Sequence, residues 1–134
     1  MTKKQLDQLI LSMENYLECW KQFNHFLNVA RTKKFGEEDE NQFLEIKSVL
    51  AQQLELLLAS IECTNPTREE VHSLISAAPS IRYLSELNDG AIRGIENQWH
   101  KIYIGWQANL GQLKVKQGEM DEQGGGFSLF GRKK

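Results

Sequence analysis

Apolar positions keep helical register over almost the whole chain. Leu6, Met13, Trp20 and Leu27 recur every seven residues, and Leu9, Tyr16, Phe23 and Ala30 repeat that spacing three positions later. A seam of this kind marks a helix packed along its length against others, and it predicts a first helix over about residues 5–31. Lys34-Phe35-Gly36 allows only a tight connection, so a second helix, over about residues 37–62, must fold back beside the first. Its inward stripe is Phe43, Ile46, Leu50, Leu54, Leu57 and Ile61. On its opposite side Val49, Leu56 and Cys63 form a thinner row at heptad spacing, which reads either as scattered surface apolar residues or as a seam for self-association or a partner.

Asn65-Pro66 stops the second helix, and Thr67 with Glu70 forms a capping box that opens a short third one, ending near Ala78. Pro79 breaks the run because it supplies no amide hydrogen and clashes with the preceding turn. The chain restarts at Ser80. From Ile81 through Leu84, Leu87, Ile92, Ile95, Trp99, Ile102, Trp106, Leu110 and Leu113 the helical spacing is unbroken. Asn88-Asp89-Gly90 has turn chemistry, but the continuous phase predicts one long helix to about Gln117, with Gly90 and Gly94 inside it. Ile92, Tyr103 and Leu110 widen its apolar face, so it needs two neighbours and is expected in the groove between the first two helices. Gly94 and Gly105, on one flank of that face, would allow close backbone approach.

The predicted fold is therefore all-α: an antiparallel up-down bundle of three long helices and one short one. Gly124-Gly125-Gly126 ends it, because each glycine in a helix costs roughly 1 kcal/mol relative to alanine. Residues 1–123 are expected to be the folded domain and residues 124–134 a flexible tail. That tail carries Phe127, Leu129 and Phe130 followed by Arg132, Lys133 and Lys134. It reads as a plain disordered terminus or as a short docking peptide, with the aromatic residues filling a pocket and the cations steering.

Charge narrows the partners. The net charge is −2 and the pI about 5.9, so there is no global basic field of the sort that nucleic-acid binding requires. Residues 1–36 hold an excess of Lys and Arg and residues 37–62 an excess of Asp and Glu, which fits cations at one helix C-terminus and anions at the next N-terminus. The start of the chain has no signal-peptide pattern, no stretch approaches a membrane span, and three apolar side chains with three cations would not anchor stably to a membrane. A cytoplasmic location is expected. In the hairpin register Cys19 faces about residue 49, roughly 20 Å from Cys63, so both are expected as reduced thiols.

Candidate chemistry is sparse. Glu69-x-x-His72 is a single metal-type spacing in a helix's first turn, where a carboxylate simply complements the dipole, and no metal or cofactor is expected. Glu96 and His100 are one turn apart, and with Tyr103 and Gln107 they make a polar strip on the last helix. Such a pair can orient an imidazole for acid–base work, but no nucleophile is placed beside it, so it reads as a surface pair or a recognition strip. Trp20, Trp99 and Trp106 read as core, with an enclosed ligand cavity as the alternative. The expected function is a non-enzymatic interaction module whose partner is a protein, with a second copy of itself among the candidates.

Overall fold

The computed structural model describes the backbone of residues 1–125 and the side chains of residues 1–122. Among them are five helices and no strand: α1 (Lys3–Thr32), α2 (Glu37–Ser60), α3 (Arg68–Ala77), α4 (Ile81–Ser85) and α5 (Asp89–Gly125). The tail positions from Phe127 to Lys134 lie outside the described residues.

Local chemistry sets each boundary. Thr2 opens α1 through a reciprocal capping box with Gln5, two residues before the expected start, and Lys33 closes it in the left-handed region at φ 60. The Gly36 N–H donates to Asp39 Oδ2 at 2.8 Å, and four acidic residues fill the first turn of α2. Thr67 and Glu70 form the capping box of α3 expected from their spacing.

Two expectations for the second half need correction. The segment from residue 80 is not one helix: Asn88 Oδ1 accepts from Ala91 N–H at 2.8 Å and so begins a new helix after α4 has closed. Turn chemistry prevails there, and the periodicity runs on only because Ile81 and Leu84 on one side and Ile92 and Ile95 on the other all face the same core. The result is two short helices beside three long ones. At its far end α5 runs past Gln117 and past the expected domain limit at Gln123, with Gly124 and Gly125 as its last described residues.

Cross-helix contacts fix the register. Tyr16 reaches the Leu50 carbonyl and Phe23 meets the Phe43 ring, so α2 descends along α1. Arg31 pairs with Glu96, Tyr16 with Trp106 and Asp7 with Gln117, so α5 descends along α1 as well. The main contacts of α5 are with α1 and α3, not with α2. Its second neighbour is thus α3, which corrects the expectation that α5 lies in the groove between α1 and α2. Gly105 serves that approach, since a Cβ there would stand 3.0 Å from Pro66 Cδ; Gly94 has open space around it and does not.

The leg formed by α3 and α4 is interrupted at Pro79, and α2 secures both sides of the break. Lys47 Nζ donates to the carbonyls of Ala78 at 3.0 Å and Pro79 at 2.8 Å, while the Glu40 carboxylate accepts from the amides of Ile81 and Arg82, each at 2.8 Å. A cation thus sits at the C-terminus of α3 and an anion at the N-terminus of α4, each satisfying backbone groups that the break exposes. Burial lowers the Lys47 pKa, and the Glu40 charge offsets that in part. Lys33 Nζ closes the other end of α4 by donating to the Ser85 carbonyl.

The core runs the length of α1. Trp20, Trp106, Tyr16, Phe23 and Phe43 are fully buried, and α4 adds Ile81 and Leu84 at the upper end. Removing the Glu40 carboxylate should be felt through α4 and the core it covers. Glu40→Ala is expected to lower unfolding free energy by about 1–2 kcal/mol in urea titrations followed by circular dichroism. Glu45→Ala, at an exposed position on the same helix, should stay within about 0.5 kcal/mol of the parent.

Candidate functional site

The polar strip expected on the last helix lies along the seam between α1 and α5. The seam is organised by Trp99, whose indole N–H donates to the Trp20 carbonyl at 2.7 Å. Tyr103 lies over Trp99, with ring centroids 4.8 Å apart and planes 13° from parallel. Stacking on a fixed indole holds Tyr103 half-exposed, with its ring presented at the surface.

Glu96 and His100 do not form the pair that their spacing suggested. The Arg31 guanidinium takes both Glu96 oxygens at 2.9 Å, because a planar fork matches a carboxylate and makes two charge-assisted bonds where an imidazole would make one. Those bonds hold the Glu96 carboxyl below its ordinary pKa. His100 is exposed, with a ring contact to Trp99 at 6.2 Å between centroids. The arrangement offers no oriented acid–base pair.

Lower on the seam, Tyr103 and Gln107 line a shallow groove of about 360 Å³ with Leu11, Leu17 and Leu110. Leu11 is 58% exposed although it lies on the helix that carries the core. Ion pairs frame the groove: Glu14 with Lys114 at 3.2 Å and Glu18 with Lys21 at 3.0 Å. Leu11, Arg31 and the Glu14–Lys114 pair were missed in the sequence. Leu11 stands outside both heptad series, and that was the available signal; the ion pairs depend on the α1–α5 register, which no local pattern encodes.

No family model matches the chain, and no curated protein or solved structure matches it either.

The row on α2 divides. Val49 is half-buried in a groove against α1, beside Asn15, Tyr16 and Cys19, whereas Leu56 is 61% exposed and Cys63 packs partly against the core. Cys19 and Cys63 are both free thiols, and burial raises the pKa of each. Beside Val49 the Tyr16 hydroxyl donates to the Leu50 carbonyl at 2.8 Å, and burial pushes its pKa far above the usual phenol value, so it remains a donor. His72 Nε2 lies 3.8 Å from Glu55 Oε2, and Glu55 is already bound by Arg68 through two bonds of 2.9 Å. Among the described residues no cluster of three or more His, Cys, Asp or Glu could hold a metal ion, and no helix is long and apolar enough to cross a membrane.

The Arg31–Glu96 clamp has a definite pH signature. In the unfolded chain the Glu96 carboxyl takes a proton near its ordinary pKa of about 4.3; in the folded protein it does so only at lower pH. The clamp's contribution is complete above the unfolded value and is lost as pH falls through the folded one. With both groups about a third exposed, it should contribute about 1 kcal/mol. Glu96→Gln should melt below the parent at pH 7, and the gap should close progressively in melts taken below pH 4. A gap independent of pH would rule out the clamp as its origin.

Proposed function

We propose that this chain is a non-enzymatic protein–protein interaction module, an antiparallel up-down helical bundle whose docking face is the α1–α5 seam around Tyr103. The supporting observation is the exposure of Leu11 beside half-buried Tyr103 and Leu110, with ion pairs of both signs at the border. An apolar centre with a polar rim is the anatomy of a protein interface, and tyrosine held by stacking is a favoured anchor because little side-chain freedom is lost on binding. Mixed charge on the rim suits a protein partner better than nucleic acid, which favours a basic field. The partner chemistry that fits best is an amphipathic helix with charges of both signs on its flanks, and a second copy of this bundle meets that description.

A small apolar ligand held in the interior has less support. Trp20 and Trp106 are fully buried, and Tyr16 sits edge-on to both, at 6.1 and 5.3 Å, in the space such a ligand would need. Two partly buried free thiols suit a reducing compartment, consistent with a cytoplasmic setting.

Site-specific photo-crosslinking tests the seam directly. A photoreactive side chain at position 11 is expected to yield defined protein adducts in the native cell, while the same group at position 82, exposed on α4, should yield none of them. Sedimentation of the purified chain then separates a second copy from another protein. Identical adduct patterns at both positions, or none at position 11, would remove the seam as a docking face.

A further inference from the structure

The side of α5 opposite the buried Trp106 is left uncovered by the other helices. From Asn97 to Glu122, alternating steps of four and three residues trace this outer side, and every position on it is exposed. Two of them are large and apolar: Ile104 is 49% exposed and Val115 64%. Between them stand Ala108 and Gly111. A glycine there costs the helix roughly 1 kcal/mol relative to alanine. Nothing in this chain lies within 4 Å of where a Gly111 Cβ would stand, so the bundle's own packing does not call for it. The four residues read large, small, small, large from either end.

Charge along the same side has a direction. Arg93 and Lys101 precede the apolar stretch, and Glu119 and Glu122 follow it. Helix electrostatics favours the reverse order, anions early and cations late, so the explanation that serves α1 and α2 does not serve here. Arg93 and Lys101 reach Asp89 and Glu70 within the chain, yet 67% and 68% of their side chains stay exposed. Lys114 and Lys116 stand to either side of Val115 and do not disturb the order: Lys114 holds Glu14, and Lys116 lines a hollow with Glu62. The two patterns together select a second copy of α5, running antiparallel across a two-fold axis centred between Ala108 and Gly111. That pairing sets Ile104 on Val115 of the second copy, and the small residues meet at the crossing, where backbones come closest. Lys101 then lies beside Glu119 of the second copy, and Glu119 beside its Lys101. In a parallel pair the same residues would oppose like charge with like.

We propose that the outer side of α5 forms a two-fold antiparallel contact with α5 of a second copy of this chain, with Ile104 against Val115 and Lys101 against Glu119. This inference does not depend on the α1–α5 seam, since Tyr103 and Leu110 lie on another flank of α5.

Sedimentation equilibrium of the full-length chain is expected to give about twice the single-chain mass, falling toward the single value on dilution. Full-length Ile104→Glu/Val115→Glu should sediment as a single chain with an unchanged circular dichroism spectrum, because both positions are exposed. Lys101→Glu should raise the dissociation constant roughly tenfold, and Lys101→Glu/Glu119→Lys should restore it, since the axis brings the exchanged charges together again. Crosslinking reads the direction. In full-length chains carrying Cys19→Ser/Cys63→Ser, an oxidised mixture of Ile104→Cys and Val115→Cys should give a disulfide-linked dimer of one chain of each kind, and neither variant alone should give one. A parent chain that keeps single mass up to about 1 mM would overturn the proposal. Crosslinking of each cysteine variant with itself would overturn it by showing a parallel pair, and a dimer that survives Ile104→Glu/Val115→Glu would do so by assigning association to another face.

Discussion

Pro79 imposes the constraint around which the bundle is arranged. A proline at that point forbids a continuous third leg, and interrupting a helix leaves carbonyls on one side and amides on the other without partners. Both sets are met by side chains of α2, Lys47 for the carbonyls of Ala78 and Pro79 and Glu40 for the amides of Ile81 and Arg82. The two residues are seven apart, two turns of one helix. With the break held in this way α4 packs on α1 and buries Ile81 and Leu84.

From that arrangement α1 acquires its central role. It is the helix in substantial contact with α2, α4 and α5 alike, and its two heptad series are buried from Leu6 to Ala30. Trp99 ties α5 to it by a hydrogen bond from a side chain to a helix carbonyl, and Tyr16 ties it to α2 in the same way. Each of these aromatic residues brings one polar atom into the core and places it on a backbone acceptor, so the large rings are buried without leaving those donors unpaired. The seam beside them inherits this rigidity, since Tyr103 rests on a Trp99 ring that cannot easily turn.

What the sequence conveyed was mostly what is local or periodic. The seam of α1, the fold-back of α2, the capping box of α3 and the break at Pro79 all follow from spacing and residue type over a few positions. The division between α4 and α5 was hidden because core-facing residues continue in phase across it; only the Asn88 cap, a matter of one side-chain oxygen, separates the two readings. The true second neighbour of α5 was also illegible. Gly105 gave the right hint, a need for close approach, but which backbone approaches depends on where the α2–α3 connection lies. In the candidate site, Tyr103 and Gln107 were legible as a strip, whereas the engagement of Glu96 by Arg31 joins positions 65 apart in sequence and has no local signature.

The register of α1 against α5 also bears on how the chain comes to be folded. Residues at the start of α1 find their partners at the far end of α5: Lys3 with Asp121, Asp7 with Gln117, Glu14 with Lys114. During synthesis, which proceeds from N- to C-terminus, α1 and α2 can form their hairpin early, but the flank of α1 that α5 covers must wait until α5 has been made. Closing so long a loop is slow compared with forming the local hairpin. Until then, the apolar surface around Leu17, which meets Tyr103 and Leu110 of α5, stays open to solvent and to other chains. The start of α1 and the end of α5 therefore mature together, and the interval before they meet leaves the young chain open to mispairing.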